Sequence, residues 1–313
     1  MVTAPLLSTA IQNFTELRKR AQQLGPKRVA VVVADDDVAL HAAAAATALG
    51  IAIPVLIGDR KRIEAKIADI GESHLHDKAE FIDAPDAPSA ANAAAQMARD
   101  GLVDILLKGH LRTDELLRAA LDKQNGLRTG RLLSDVLLYE DVLSGERRLV
   151  GITDGGLNVA PTVDQKKQIV VNAIAAMHAL GFARPRIAIM SATEVVSESL
   201  PSTVDARELA AMGAAGEFGE AEVYGPLALD NALLESAARA KGIISSVAGH
   251  ADCMVVPNIE SGNLLGKAVK YLGNSQCAHV VVGARVPILI PSRVESVDDK
   301  INSVAFGVIA HAR

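Results

Sequence analysis

"HAAAAATALGIAIPVLIG", residues 41 to 58, is the stretch on which the fold turns. A bilayer span needs about 20 consecutive, predominantly apolar residues. This run is mostly alanine at its start, then carries a turn-like glycine and a proline, so it reads as a helix handing over to a strand. The pattern repeats on both sides. "RVAVVVA" (28–34) precedes it, and "AEFI" (79–82) and "VDILLK" (103–108) follow as uninterrupted apolar runs, the pattern of strands in a parallel sheet covered on both faces. "PSAANAAAQMARDG" (88–101) has the length and alanine content of a crossover helix. The opening part of the chain is expected to be a doubly wound α/β domain.

The same rhythm continues through "RLLSDVLLY" (131–139), "RLVGIT" (148–153), "RIAIMSA" (186–192), "AEVYG" (221–225), "DCMVVP" (252–257), "HVVVGA" (279–284) and "VPILIP" (286–291). About eleven strands exceed the roughly four to six of a usual open sheet, so the chain is expected to divide near residue 130. The chain has 313 residues, half of them hydrophobic, and can supply two cores.

Charge and composition exclude several functions. The net charge is −5 and no run of Lys and Arg stands out, so a nucleic-acid partner is not expected. Three Tyr, five Phe and no Trp supply few stacking platforms for bases. Cys253 and Cys277 lie in or beside apolar runs and lack metal-ligand or disulfide-framework spacing, which fits a reducing cytoplasm. Neither a membrane span nor a secretory signal is evident.

In open α/β sheets ligands gather at the carboxyl ends of strands. Five polar segments follow strands: "KGHLRTDELLR" (108–118), "TDGGLNVAP" (153–161), "SATEVV" (191–196), "PNIESGN" (257–263) and "PSRVESVDDK" (291–300). The last delivers Ser292 and Arg293 off a strand end, a hydroxyl and a guanidinium fork that can both donate to a phosphoryl oxygen. A turn serine beside a solvated arginine is the plainer alternative. Asp299 completes an S-x-x-D capping pattern with Ser296, and it could equally serve as a general base one helical turn from Ser292 and Arg293.

Lys108 emerges from a buried strand, Gly109 permits a tight turn, and Thr113 is expected to cap a helix carrying Arg118 on its second turn. Asp154, Asn158, Asn258 and Asn263, with Gly262, occupy two glycine-containing loops that could either fix the polar arm of a ligand or cap their own helices. Ser134, in "RLLSDVLLY", is a further candidate for substrate binding. His110 and His250 have no ligand partner at motif spacing, so no metal site is expected. Neither a G-x-x-x-x-G-K-[ST] loop nor a G-x-G-x-x-G after the first strand is present, which argues against a nucleoside triphosphatase or a standard dinucleotide enzyme.

Taken in order, "KGHLRTDELLRAALD", "ITDGGLNVAPT", "STVDARELAAMG", "GPLALDNAL", "ADCMVVPNIESGNLLGK" and "VGARVPILIPSR" resemble the phosphate acetyltransferase and phosphate butyryltransferase family over nearly the whole chain. The resemblance implies reversible transfer of a short acyl group, acetyl or butyryl, between coenzyme A and inorganic phosphate. It implies two doubly wound α/β domains with an isocitrate/isopropylmalate dehydrogenase-like architecture and the active site in the interdomain cleft. Residues 1–130 plus 286–313 would form the first domain and residues 131–285 the second.

A homodimer is implied, with CoA or acyl-CoA and phosphate or acyl phosphate as partners and no permanently bound cofactor. The family's serine, arginine and aspartate fall on Ser292, Arg293 and Asp299, and a further arginine on Arg118. Gly266, His279 and Pro291 depart from the family pattern and bear on acyl-chain preference and local packing. "KGHLRTDELL" resembles the butyryl branch more than the acetyl branch. Two rivals remain: a non-catalytic module of the same fold that senses acyl-CoA, and a related two-domain metal- and NAD-dependent dehydrogenase, which the lack of a clustered aspartate motif disfavours.

Overall fold

The computed structural model describes residues 10–143, 147–292 and 295–312. Two compact units emerge: Thr15–Arg131 with the chain from Ala278 onward, and the described residues through Phe14 with Leu132–Cys277.

The first stretch of chain runs α1 (Phe14–Leu24), β1 (Lys27–Val32), α2 (Asp37–Ala48), β2 (Ala52–Gly58), α3 (Arg60–Asp69), the one-turn α4 (Leu75–Lys78), β3 (Glu80–Asp83), α5 (Ala87–Arg99), β4 (Ile105–Lys108) and α6 (Thr113–Ala120). The middle stretch supplies β5 (Ser134–Asp141), β6 (Arg148–Thr153), α7 (Val163–Ala179), β7 (Arg186–Met190), α8 (Pro201–Ala214), β8 (Glu222–Leu227), the short α9 (Leu229–Leu233) and α10 (Glu235–Ala240), β9 (Cys253–Val255) and α11 (Ile259–Lys267). The chain then returns to the first unit with β10 (Cys277–Val282), β11 (Ile288–Leu289) and α12 (Val297–His311).

Residues 41–58 divide as their composition predicts. Helix α2 ends at Ala48, Gly50 turns the chain at φ +69°, and β2 starts at Ala52. Among the described residues no helix is long and apolar enough to cross a membrane. Alanine dominates α2 because α12 lies directly against it, and small side chains let two helices approach closely. Every residue of α12 from Asp299 to Ile309 is buried, with Phe306 fully enclosed.

In the first unit the strand order is β3-β2-β1-β4-β11-β10, parallel as far as β11, with β10 antiparallel to it. The second unit orders its strands β5-β6-β9-β7-β8, parallel except for β5. Two pairs are antiparallel, β5 with β6 and β10 with β11. Strand β5 ends at Asp141 and β6 begins at Arg148, while β10 ends at Val282 and β11 begins at Ile288. Such links are too short for the crossover of a dozen or more residues that parallel neighbours need. An apolar strand carries no mark of its direction, but the length of its connection does.

Candidate active site

The candidate residues fall into two groups, one in each unit. In the first unit they gather at the carboxyl ends of β1, β4 and β11. Lys108 is the buried last residue of β4. Gly109 follows, its N–H donating to the Val32 carbonyl at 2.9 Å, and the N–H of His110 donates to the Val33 carbonyl at 2.8 Å. A Cβ at Gly109 would run into both carbonyls, so the close approach of these strand ends requires glycine.

The cap of α6 is Arg112, whose N–H donates to the Glu115 carboxylate at 3.0 Å. Thr113 is the first helical residue and not the cap, a correction caused by the reach of Glu115 back across the turn. Arg118 stands on the second turn as expected, with its side chain 77% exposed and 3.4 Å from Asp114.

Ser292 follows β11 and is exposed, and its N–H donates to Oε1 of Glu295 at 2.9 Å. Arg293 lies outside the described residues. Asp299 is wholly buried in a reciprocal cap at the head of α12. Its Oδ2 accepts from the N–H of Ser296 at 3.1 Å and from the Ser296 hydroxyl at 2.5 Å, and its own N–H donates to Ser296 Oγ at 3.2 Å. Of the two roles left open by the S-x-x-D pattern, capping is therefore realised. Ser296 itself is an exposed residue.

Glu295 is a group that sequence reasoning passed over. Nearly buried, it lies 3.6 Å from Nε2 of His279, and its Oε2 has no hydrogen-bond partner among the described residues. The signal was present, since Ser292 and Glu295 form an S-x-x-E pair four residues ahead of Ser296 and Asp299. Buried Lys300 faces Asp36 at 3.7 Å, and burial lowers its pKa against the opposing charges of Asp36 and Glu295.

The second unit brings the "TDGGLN" and "PNIESGN" segments into contact. Oδ1 of Asp154 accepts from the N–H groups of Gly156 at 2.9 Å and Leu157 at 3.0 Å, while Oδ2 accepts from the N–H of Asn158 at 3.2 Å and from its side-chain amide. The amide of Asn158 also donates to the Leu133 carbonyl at 2.8 Å. Burial, reinforced by the charge of Asp135, raises the Asp154 pKa to about 6 against these hydrogen bonds. Asp135 is a second residue that sequence reasoning missed; it lies in β5 and borders Gly156.

Asn258 caps α11, its Oδ1 accepting from the N–H of Ser261 at 3.0 Å. Ser261, Gly262 and Asn263 are consequently helical, a correction to their reading as loop. Gly262 touches Gly155 so closely that a Cβ on Gly262 would lie 2.7 Å from the Gly155 Cα. The exposed Asn263 amide donates to the Gly155 carbonyl at 3.4 Å. Ser134 is fully enclosed and accepts from the Asn172 amide at 2.9 Å, so it braces the sheet beneath this surface.

These arrangements place hydroxyls, amides and cations at strand ends, with a buried carboxylate behind a serine. Comparison with known proteins identifies the family. Residues 86–308 match the family model described as phosphate acetyl/butaryl transferase. A phosphate acetyltransferase of Rickettsia felis is 40% identical over 96% of this chain and 86% of its own length, and a phosphate butyryltransferase of Clostridium beijerinckii is 38% identical over 96% of this chain and 99% of its own. A branched-chain phosphotransacylase from Enterococcus faecalis V583 superposes with a TM-score of 0.80 at 28% identity, covering 91% of this chain and 99% of that one. With the family model matched over most of its length and relatives this similar, the chain belongs to the phosphate acetyl/butyryl transferase family.

Proposed function

We infer that the chain is a phosphate acyltransferase that moves a short acyl group reversibly between the CoA thiol and inorganic phosphate. The observation that carries this reading is the family match over residues 86–308, joined to the serine and buried carboxylate at the head of α12. Relatives named for acetyl and for butyryl transfer are about equally similar, so the acyl group is assigned as short, without a chain length. Nothing in either finding favours a non-catalytic sensing module.

A thiol attacks well only as thiolate, and an unperturbed thiol holds its proton above neutral pH. Asp299 is the base in this reading. Because Asp299 is enclosed, the proton travels through Ser296: the hydroxyl passes its own proton to Asp299 Oδ2 as it takes the one from sulfur. The thiolate adds to the acyl carbon, the carbonyl π pair moves onto oxygen, and its return expels phosphate.

Ser292 donates to the developing oxyanion or to the departing phosphate. Arg118 and Arg293, with Lys108 and Thr113, neutralise and orient the phosphate. Preorganised donors of this kind are worth about 3 kcal/mol each in the transition state. In the second unit Asn263 contacts ligand, and Asp154, Asn158, Asn258, Gly262 and Ser134 hold the surface that presents it.

The finer organisation is proposed on the same footing: two isocitrate/isopropylmalate dehydrogenase-like domains made of residues 1–130 plus 286–313 and residues 131–285, a homodimer, a cytoplasmic location, and no permanently bound cofactor. The two compact units support the first point, and two buried cysteines that form no disulfide are in keeping with a reducing compartment.

The test is thiol consumption from CoA with acetyl, propionyl and butyryl phosphates. Turnover with at least one is expected, and none with any of the three removes the assignment. Within it, Ser296→Ala should lower kcat by about 100-fold while CoA still binds, since a positioned proton carrier contributes about 10²–10⁴. An unchanged kcat would leave Ser296 and Asp299 as a helix cap alone.

A further inference from the structure

Strand β11 ends at Leu289, where its pairing with β4 also ends. Ser292 stands three residues beyond, behind Pro291, which has no N–H to give. A hydroxyl past the edge of a sheet keeps one direction only if other groups fix its backbone. Here one residue does so. The Ser292 N–H donates to Oε1 of Glu295 at 2.9 Å, and the Glu295 N–H donates to the Ser292 carbonyl at 3.2 Å. Both polar groups of the Ser292 main chain are thus engaged by Glu295.

Glu295 is itself held. Its side chain is 8% exposed, and Oε1 lies 3.6 Å from Nε2 of His279 on β10. The N–H of His279 donates at 2.9 Å to Oγ of Ser303, whose hydroxyl donates to the Asp299 carbonyl at 2.9 Å. These bonds tie β10 to α12 behind the glutamate. Lys300, also on α12, is near enough to feel its charge.

At the head of α12 the same three-residue reach recurs, and there Oδ2 of Asp299 accepts from both the N–H and the hydroxyl of Ser296. Glu295 spends only one oxygen on its turn. The other, Oε2, is buried and accepts no hydrogen bond among the described residues. Leaving a buried carboxylate oxygen unsatisfied is costly, and an uncharged acceptor would close the turn without that cost. What the carboxylate adds is a charge-assisted bond, about twice as strong as a neutral one, at the backbone group that aims the Ser292 hydroxyl.

We propose that Glu295 is a positioning residue for acyl transfer, holding Ser292 through its N–H and its carbonyl so that the hydroxyl leaves the backbone aimed at the reacting oxygen. The proposal rests on the acyltransferase reading above, in which Ser292 is the donor.

Glu295→Met keeps the length and bulk of the side chain and removes its acceptor, whereas Glu295→Gln keeps an acceptor and removes the charge. In initial-rate measurements Glu295→Met should lower kcat about 100-fold, the scale of a misplaced catalytic group, while KM for CoA and for acyl phosphate hold. Glu295→Gln should regain roughly tenfold of that loss. In a Ser292→Ala background Glu295→Met should cost almost nothing further, because no hydroxyl is left to aim. An unchanged kcat in folded Glu295→Met, no recovery in Glu295→Gln, a loss carried by KM, or a loss of equal size in both backgrounds overturns the proposal. If Glu295→Met does not fold, Glu295→Ala carries the same expectations. Amide hydrogen exchange at Ser292 needs no turnover: protection in the wild type and in Glu295→Gln should fall about tenfold or more in Glu295→Met. If the wild type consumes no acyl phosphate but exchange divides the variants in this way, Glu295 stands as the residue that fixes Ser292 and the acyltransferase reading alone falls. Equal exchange in all three overturns the hold itself.

Discussion

Asp154 is almost shut off from water, and burial together with the charge of Asp135 lifts its pKa to about 6. In an unfolded chain such a group titrates near pH ~4. Between these values the folded state keeps a proton that the unfolded chain has released. The stabilisation is therefore full below about pH 4 and is lost as pH rises through about 6. Its size is on the order of 2–3 kcal/mol. Asp135→Asn removes the like charge and should shrink this decline and move it to lower pH. Urea unfolding of both proteins at stepped pH reads the difference, and superimposable profiles would acquit Asp135. Residue roles were only partly legible in the sequence. The S-x-x-D spacing announced the pairing of Ser296 with Asp299, but whether its carboxylate meets solvent depends on burial. Asp135 escaped notice because its neighbour in space, Gly156, is distant along the chain.

Elements were more legible, because hydrophobic periodicity is a local property. Helix α5 and the apolar strands stand where their composition predicts. Strand direction at β5 and β10 was not legible in the apolar runs, where only the short links to the next strands carried the information. The start of α11 was misplaced too, since Asn258 caps immediately after Pro257 and pulls Gly262 into the helix. There Gly262 meets Gly155, Val256 and the Asp154 carbonyl. Alanine at 262 would place its methyl 2.7 Å from the Gly155 Cα and 3.0 Å from the Asp154 carbonyl oxygen, backbone atoms that cannot turn aside. Gly262→Ala should cost about 1–3 kcal/mol in unfolding free energy. It should also weaken ligand binding by displacing Asn263. An unaltered melting temperature would mean that the two segments separate freely. Gly266 is constrained in the same way, for a Cβ there would lie 3.0 Å from Cδ1 of Leu137.

At the scale of the molecule, the first unit is completed by α12, against α2, β4 and β11. Phe306, on α12, has none of its surface exposed. Phe306→Ala should lower stability by about 3–5 kcal/mol. Hydrogen exchange should locate the loss in β1, β2, β4 and α2, with β6, β7 and β9 keeping more of their protection. Equal loss in both would make the units one cooperative body. The α/β class could be read from the sequence because apolar runs alternate with helices along it. The return of the chain to a unit begun at Thr15 was expected for residues 286–313 through the family resemblance, while the start of that return at Ala278 has no local pattern to mark it.

That return has a consequence for biosynthesis. A ribosome emits α2 long before α12, with the whole of Leu132–Cys277 made in between. Domains generally fold as units, in the order of their emergence, at about 5–20 residues per second. Here the order inverts. The middle segment is complete while the alanine face of α2 still waits uncovered, so the unit whose strands emerge first is the last to close, and the interval before its closing helix arrives is when the nascent protein is most exposed to self-association.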